Sequence, residues 1–499
     1  MSGIRVTYSG LISFFVSIIG VITGTFFVII VTRQLSPEDF GLWTLIGSLV
    51  SYVTIINPVI TYWTTRQIAR DEDVGKSAIS TSGLFSIGGS ITYIIIVFAV
   101  SLTLDVDLSI LLLSVLLVPV FFIERILNSI TMGYKPQISS YGILAFESTK
   151  VPLGFLLVYN LEFGIIGALI TTILSSLVKI IILALMTREK LCGTIKKNVI
   201  KFWFRLSWLT LYMSLFGFIR RLDVLFFSVI TGSVSGLAYW GAATAATNLV
   251  SYSSRISQGL YPKMIATGEK TFAEINLQRT LFFAIPILAA TIIFAKPVLN
   301  ILNPIYVDGA IIVIILGLRS FVAILMGFSF SMIESFEKID MNKNATFKEF
   351  VDSKLFLVPT LNIIHSVIYV AAIVSFFLIL GSGKSDVYLV TIWSLIFFLV
   401  YIPFVIYSFI FINNNYKIKF PIKHLLKYSA IATLSSIIIF SLTENFLELK
   451  ENIYEFLPEF LPYIFLGGGI YFGISYLADK DTRLFFKTIF IGIKKSIKF

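Results

Sequence analysis

Long apolar runs alternate with short polar segments along the whole chain of 499 residues. Each of fourteen such runs is long enough to cross a bilayer as a helix, which takes about 20 residues. The runs are residues 8–32, 41–65, 77–102, 108–132, 139–158, 164–186, 207–230, 236–256, 279–296, 308–333, 355–379, 387–412, 426–442 and 460–477. The pattern predicts an all-α polytopic membrane protein with about 14 transmembrane helices.

The composition agrees with this prediction and removes several functional classes. Hydrophobic residues make up 57% of the chain and charged residues 13%, whereas a soluble domain carries roughly 25% charge. The only cysteine is Cys192 and there are two histidines, so we expect neither a disulfide within the chain nor a metal site built on Cys or His. The predicted loops are too short for a catalytic domain and contain no nucleotide-phosphate motif. We therefore expect a protein that is not an enzyme.

The net charge of +11 has a topological explanation. If the N-terminus is cytoplasmic, most of the 39 Lys and Arg residues fall in predicted cytoplasmic segments. The basic residues in predicted outer segments are Arg33, Lys296, Lys384 and Lys450. This positive-inside bias predicts cytoplasmic N- and C-termini and contact with anionic lipid headgroups, and it makes a nucleic-acid partner unnecessary.

Two polar turns between apolar runs resemble each other. The first follows Leu35 and reads Ser36-Pro37-Glu38-Asp39-Phe40-Gly41-Leu42-Trp43, and the second contains Gly236-Leu237-Ala238-Tyr239. Superposing Gly41 on Gly236 also aligns the first predicted span with the seventh, which indicates an internal duplication. Because each half has an even number of spans, the halves are parallel repeats around a central cavity. The predicted boundaries are residues 1–200 and 201–412 for the six-helix lobes, 413–478 for two additional helices and 479–499 for a cytoplasmic amphipathic tail.

Residues 31–43 and 219–225 resemble the openings of the two halves of polysaccharide-biosynthesis flippases. These flippases belong to the multidrug/oligosaccharidyl-lipid/polysaccharide exporter (MOP) superfamily. The resemblance implies a plasma-membrane flippase that moves a polyprenyl-(di)phosphate-linked oligosaccharide from the cytoplasmic to the outer leaflet by alternating access. Cell-surface polysaccharide or glycoprotein assembly would be its purpose. It also implies membrane lipids, the polyprenyl-linked glycan and glycosyltransferases of the same pathway as partners, and a monomeric transporter.

Charged residues inside the predicted spans are the candidates for binding. Placing one charged side chain in the hydrocarbon core costs roughly 3 kcal/mol, so a structural or functional role must offset that cost. The substrate-binding candidates are arginines, because the guanidinium fork matches phosphate geometry; they are Arg220, Arg221, Arg319, Arg125, Arg66 and Arg255. Structural alternatives stay open: Arg220 can pair with Asp223 one turn away, and Arg66 and Arg255 can anchor helix ends at the cytoplasmic surface. For Arg125, which adjoins Glu124, the structural interpretation is favoured.

A second group of residues is suited to ion coupling, and comprises Asp223, Glu147, His365 and Asn362. In lipid II flippases, to which the chain is similar, a sodium site uses Asp in span 7 with Asn and Asp four residues apart in span 11. Asp223 and Asn362 fit that pattern, but Ser366 replaces the second carboxylate. Sodium and the proton both remain candidates, and we expect no other cofactor. The alternatives are that Glu147 pairs with Lys150 and that His365 belongs to the core.

Two other functions compete with the flippase interpretation. A multidrug exporter of the same superfamily would favour cavity carboxylates for cationic drugs, whereas arginines and lysines outnumber carboxylates well inside these spans. A membrane-embedded glycan polymerase would carry one long outer loop with catalytic arginines, which the chain lacks.

Overall fold

The computed structural model describes residues 6–104, 106–205, 207–254, 270–337, 347–480, 482–484 and 486. Within these ranges the regular structure is helical throughout, with no strand. The α-helices are α1 (Val6–Gln34), α2 (Pro37–Val53), α3 (Pro58–Ala69), α4 (Gly75–Ser101), α5 (Leu108–Leu113), α6 (Leu117–Tyr134), α7 (Gln137–Gly154), α8 (Gly164–Met186), α9 (Arg188–Leu191), α10 (Lys197–Arg205), α11 (Ser207–Thr231), α12 (Ser235–Tyr252), α13 (Lys270–Ile293), α14 (Ala295–Leu302), α15 (Ala310–Ser335), α16 (Phe347–Val351), α17 (Lys354–Leu380), α18 (Asp386–Tyr416), α19 (Ile422–Phe446) and α20 (Ile453–Ala478).

In the described part of the chain every predicted apolar run is helical; the runs at 41–65 and 108–132 are each divided into two α-helices by a turn of 3-10 helix. In the described part of the chain, 11 helical segments are long and apolar enough to cross a membrane. The predicted class, an all-helical multi-pass membrane protein, is thereby confirmed. The remaining predicted runs correspond to α1, α11 and α12. The total of fourteen spans stays a prediction.

The second predicted span is two helices rather than one. A single turn of 3-10 helix, Thr54–Ile56, separates α2 from α3. At the break, the buried Asn57 side chain donates from Nδ2 to the Thr54 carbonyl at 3.0 Å. Pro58 then occupies the first position of α3, where its missing N–H costs nothing because that donor has no helical partner.

The contacts divide the chain into two compact units. The first comprises Met1–Gly241 and Pro359–Val390. In it, α7 packs against α1 and α8, and α6 packs against α3, α4 and α8. Its core beneath α3 contains Val59, Ile126 and Trp203, of which Trp203 is fully buried.

The second unit comprises Ala242–Val358 and Thr391–Phe499. In it, α13 packs against α15, α19 and α20. Tyr471 of α20 donates from its hydroxyl to the Phe282 carbonyl of α13 at 2.9 Å. Ser329 of α15 donates to Ser408 of α18 at 2.7 Å. These hydroxyl contacts between helices replace the hydrophobic driving force that is absent in lipid.

The predicted lobe boundaries at residues 200 and 412 follow from the inferred duplication of the sequence. They stay a prediction. Most of the predicted amphipathic tail, residues 479–499, lies outside the described residues.

The two similar turns lie against each other in the first unit. The Ser36 hydroxyl caps α2 by accepting from the Asp39 N–H at 3.1 Å. A Cβ added to Gly41 would overlap the backbone carbonyl of Val234, which sits in the second turn. Only glycine allows this approach, and the contact places both turns on the same side of the membrane.

Candidate substrate-binding site

Two arginines occupy the middle of α11, well away from either helix end. Arg221 is exposed and Arg220 is partly exposed, and their like charges act on each other. Tyr52, near the end of α2, donates a hydrogen bond to the Arg221 backbone carbonyl. Its ring also meets Phe218 edge-on at 5.8 Å. Tyr52 therefore fixes this turn of α11 against the broken second span.

A third arginine joins this pair from another helix. Arg125 of α6 is exposed, and the charge of Arg221 reaches it. An accessible charge well inside a membrane span needs water or a charged partner beside it. Arg125, Arg220 and Arg221 therefore form one group of cations, which we call the arginine cluster.

Glu124, the sequence neighbour of Arg125, has a different partner. Its carboxylate accepts from the Lys179 ammonium of α8 at 2.6 Å. Lys179 therefore pairs inside the helix bundle of the first unit. The Glu124 carboxylate is thus already paired with the Lys179 ammonium. We therefore group Arg125 with Arg221, whose charge reaches it, and not with Glu124.

Asp223 is buried one turn after Arg220, with 5% of its surface exposed. Its Oδ2 accepts from the hydroxyl of Tyr369 in α17 at 2.6 Å. His365, one turn before Tyr369, is also buried. Asn362 is partly exposed, and its backbone carbonyl accepts from the Ser366 hydroxyl at 2.8 Å. Three of the four ion-coupling candidates thus lie on α11 and α17. Sequence reasoning missed Tyr369, because nothing local links a tyrosine of α17 to a carboxylate of α11.

Glu147, the fourth candidate, belongs to a separate buried group. Its carboxylate lies 2.9 Å from the Lys150 ammonium and accepts from the Thr23 hydroxyl of α1 at 2.8 Å. The predicted pairing of Glu147 with Lys150 is confirmed. Lys150 also lies over the rings of Phe146 at 4.8 Å and Phe27 at 5.3 Å. The ammonium is therefore partnered on several sides.

Arg319 lies on α15 in the second unit and faces aromatic side chains. Its guanidinium carbon is 4.0 Å from the centre of the Phe397 ring and 4.7 Å from that of Tyr401. Its Nη2 also donates to the Tyr401 hydroxyl at 2.7 Å. Stacked guanidinium groups keep N–H donors at the edge of the plane, where an anion can be bound.

The last two substrate-binding candidates are Arg66 and Arg255. Arg66 is exposed near the end of α3 and donates to the Tyr62 hydroxyl at 2.7 Å. It is not joined to the arginine cluster by any contact in the described ranges. Arg255 lies outside the described residues. Within the described part of the chain, no group of three His, Cys, Asp or Glu side chains is arranged to hold a metal ion.

Comparison with known proteins identifies the fold. No protein-family model and no curated protein matches the sequence. Among solved structures, the lipid II flippase MurJ in an inward closed conformation superposes with a TM-score of 0.67 at 14% identity, covering 95% of this chain and 99% of that one.

Two multidrug transporter structures superpose less closely. An inward-facing multidrug resistance MATE family transporter of the MOP superfamily gives a TM-score of 0.56 at 15% identity, covering 79% of this chain and 95% of that one. MATE in complex with MaL6 gives 0.52 at 14% identity, covering 82% of this chain and 95% of that one. The chain is a multi-pass membrane protein with the fold that MurJ and MATE transporters share. The resemblance inferred from the two turns is thereby confirmed at the level of fold.

Proposed function

We propose that this protein flips a polyprenyl-(di)phosphate-linked oligosaccharide from the cytoplasmic to the outer leaflet of the cell membrane by alternating access. The observation that carries the proposal is the arginine cluster, in which exposed cations from α6 and α11 lie within electrostatic reach of one another. Like charges inside a membrane repel and are poorly solvated. A diphosphate would replace the missing hydration and offset the repulsion, and arginine binds it with paired hydrogen bonds.

The similarity to MurJ supports the same conclusion. That protein acts on lipid II, a lipid-linked substrate, and it covers nearly the whole of this chain. The polyprenyl-linked glycan and its glycosyltransferases are the partners that we propose, with membrane lipids, for a monomer with both termini in the cytoplasm.

A multidrug exporter is the alternative that the MATE structures support. A cationic drug would need an available carboxylate near the binding site. In the first unit, Glu124 is held by Lys179, Glu147 by Lys150, and Asp223 by the Tyr369 hydroxyl. The exposed charges well inside the spans of that unit are Arg125 and Arg221, which would repel such a drug. The charges therefore favour an anionic substrate.

We also propose that Asp223 carries the coupling ion, with His365 and Asn362 on the neighbouring helix. Protonation of Asp223 would neutralise the carboxylate that accepts from the Tyr369 hydroxyl. Sodium would instead be bound by that carboxylate and by nearby oxygens. Transport into liposomes under an imposed proton gradient or an imposed sodium gradient distinguishes these two ions.

The test uses the full chain in liposomes with a fluorescent polyprenyl diphosphate-linked oligosaccharide and an impermeant quencher. Neutral variants Arg221→Gln and Arg319→Gln should abolish movement between leaflets while the protein still inserts and folds. Lysine at either position should restore it only in part, because lysine keeps the charge but loses the fork. Lys384→Gln removes an exposed cation from a loop and is the matched control.

Arg220 should behave differently from Arg221. Removing Arg220 takes a cation away from buried Asp223, so adding Asp223→Asn should recover part of the loss. If Arg221→Gln and Arg319→Gln still flip the glycan lipid at the wild-type rate, the arginines are structural. If the wild type and these variants export a cationic dye equally well, the exporter alternative is correct.

A further inference from the structure

The segment between the two repeats is fixed across the ends of several helices of the first unit. We call residues 188–205, which include α9 and α10, the linker strap. Its Lys196 N–H donates to the buried Ser77 hydroxyl of α4 at 2.8 Å. Its Glu189 accepts from the Tyr134 hydroxyl of α6 at 2.9 Å. Trp203 donates to the Gln67 side chain of α3 at 2.7 Å. The linker strap is thus a defined surface feature.

Helix α10 of the linker strap has two opposite faces. Trp203 is fully buried and lies with Val199 and Ile200 on the face that packs on the core beneath α3. Lys197, Lys201 and Arg205 follow one another at intervals of four residues on the other face, and all three are exposed. Intervals of four place side chains in one row along a helix, so these residues form a cationic row.

The cationic row is not neutralised by the protein around it. Like charges four residues apart destabilise a helix. Glu189 is the only acidic residue between positions 187 and 206, and it is bound to Tyr134. In the described part of the chain, no carboxylate lies within ion-pairing distance of the row. A helix that tolerates this arrangement is suited to an anionic surface outside the protein.

Aromatic side chains beside the row indicate which anionic surface this is. Phe204 flanks the row and is 47% exposed, and Trp208 at the start of α11 is 38% exposed. Cations next to exposed aromatic rings are typical of a helix at the membrane interface, where rings enter the headgroup region. The position agrees, because the linker strap connects α8 directly to α11, both of which coincide with predicted spans.

We propose that the cationic row binds the headgroups of anionic phospholipids and thereby holds the linker strap at the membrane surface. Bound lipid would also affect the second predicted span. Trp203 donates a hydrogen bond to Gln67 of α3, the part of that span that follows the break at Asn57 and Pro58. Anionic lipid would hold α3 in its present position. The proposal concerns the bilayer lipid and does not depend on the identity of the transported substrate.

The chain contains its own reporter for the test. Cys192 is the only cysteine, is exposed and lies in the linker strap. An environment-sensitive fluorophore on Cys192 of the detergent-solubilised full chain is titrated with short-chain phosphatidylglycerol, and in parallel with short-chain phosphatidylcholine. Phosphatidylglycerol should change the emission at low concentration, added salt should reverse the change, and phosphatidylcholine should have little effect.

The variant Lys197→Gln/Lys201→Gln/Arg205→Gln should raise the midpoint of the phosphatidylglycerol titration by about a hundredfold, since each cation near an anionic surface contributes separately. The matched control is Lys417→Gln/Lys419→Gln/Lys423→Gln, which neutralises three other exposed cations. It changes the net charge equally and should leave the midpoint unchanged.

Three outcomes would overturn the proposal. Equal effects of the row variant and the control would mean that net charge alone matters. A response to polyglutamate but not to phosphatidylglycerol would identify an acidic soluble partner instead. A response to inorganic pyrophosphate alone would make the row a substrate-capture site, which would leave the proposed function standing while this inference fails.

Discussion

The buried pair of Glu147 and Lys150 predicts a large and specific loss of stability. In Glu147→Gln the Lys150 ammonium, 11% exposed as a side chain, would keep only a neutral amide oxygen and the rings of Phe27 and Phe146 as partners, with no opposite charge. Removing one member of a buried ion pair costs about 3–5 kcal/mol. The variant also weakens the 2.8 Å hydrogen bond from Thr23, which adds about 1 kcal/mol.

The double variant Glu147→Gln/Lys150→Met should recover most of this loss. It leaves no unpaired charge, and methionine fills the space of the lysine stem. Lys150→Met alone should cost nearly as much as Glu147→Gln, because it leaves the carboxylate with Thr23 alone. The coupling energy from the double-mutant cycle should therefore be at least as large as the loss in either single variant, about 3–5 kcal/mol or more.

The measurement is the free energy of unfolding in mixed micelles, from a reversible titration with a denaturing detergent. Lys190→Met is the control, because Lys190 lies 3.8 Å from Asp71, whose side chain is 79% exposed. Such surface pairs contribute about 0–1 kcal/mol. The reasoning is refuted if Glu147→Gln is no less stable than Lys190→Met, or if the two single losses simply add. The first result would show that Glu147 can lose its charge at little cost, as a coupling site must; the second would show that the two side chains do not stabilise each other.

Three further predictions concern packing, topology and coupling. Gly41→Ala should destabilise the protein by about 2 kcal/mol or more through overlap with the facing backbone carbonyl, whereas Gly47→Ala, where a Cβ meets nothing within 4 Å, should be neutral or stabilising in the same unfolding assay. Cys192 should be protected from an impermeant thiol reagent in intact cells, whereas Ser36→Cys should be labelled; the reverse pattern would contradict the predicted orientation. Tyr369→Phe should slow transport at least several-fold without lowering expression, and an unchanged rate would mean that its hydroxyl plays no part in coupling.

The helices were largely predictable because their signal is local. Each apolar run is continuous in sequence, and the interval of three residues between Glu147 and Lys150 is itself a helical neighbour relation. The break in the second span has a local signal, since Pro58 lacks the N–H that would continue the helical hydrogen bonds.

The contacts that define the candidate site were not predictable in this way. Glu124 meets Lys179, and Asp223 meets Tyr369, across helices that are far apart in sequence. A periodic pattern indicates which face of a helix is apolar, but it contains no information about which helix packs against that face. Pairing between helices depends on side-chain fit and on the few small residues that allow close approach.

The contact between Gly41 and the Val234 carbonyl also constrains how the protein is made. The first hairpin leaves the ribosome long before the residues that cover Gly41 have been synthesised. Until then the surface around Gly41 is accessible to lipid or to chaperones. Domains generally fold in the order in which they are synthesised. The first unit can therefore close only after the second hairpin has inserted, and it is complete only once Pro359–Val390 has been synthesised. A ribosome stalled before Val234 should hold a nascent chain whose first hairpin is inserted but still exchanges partners.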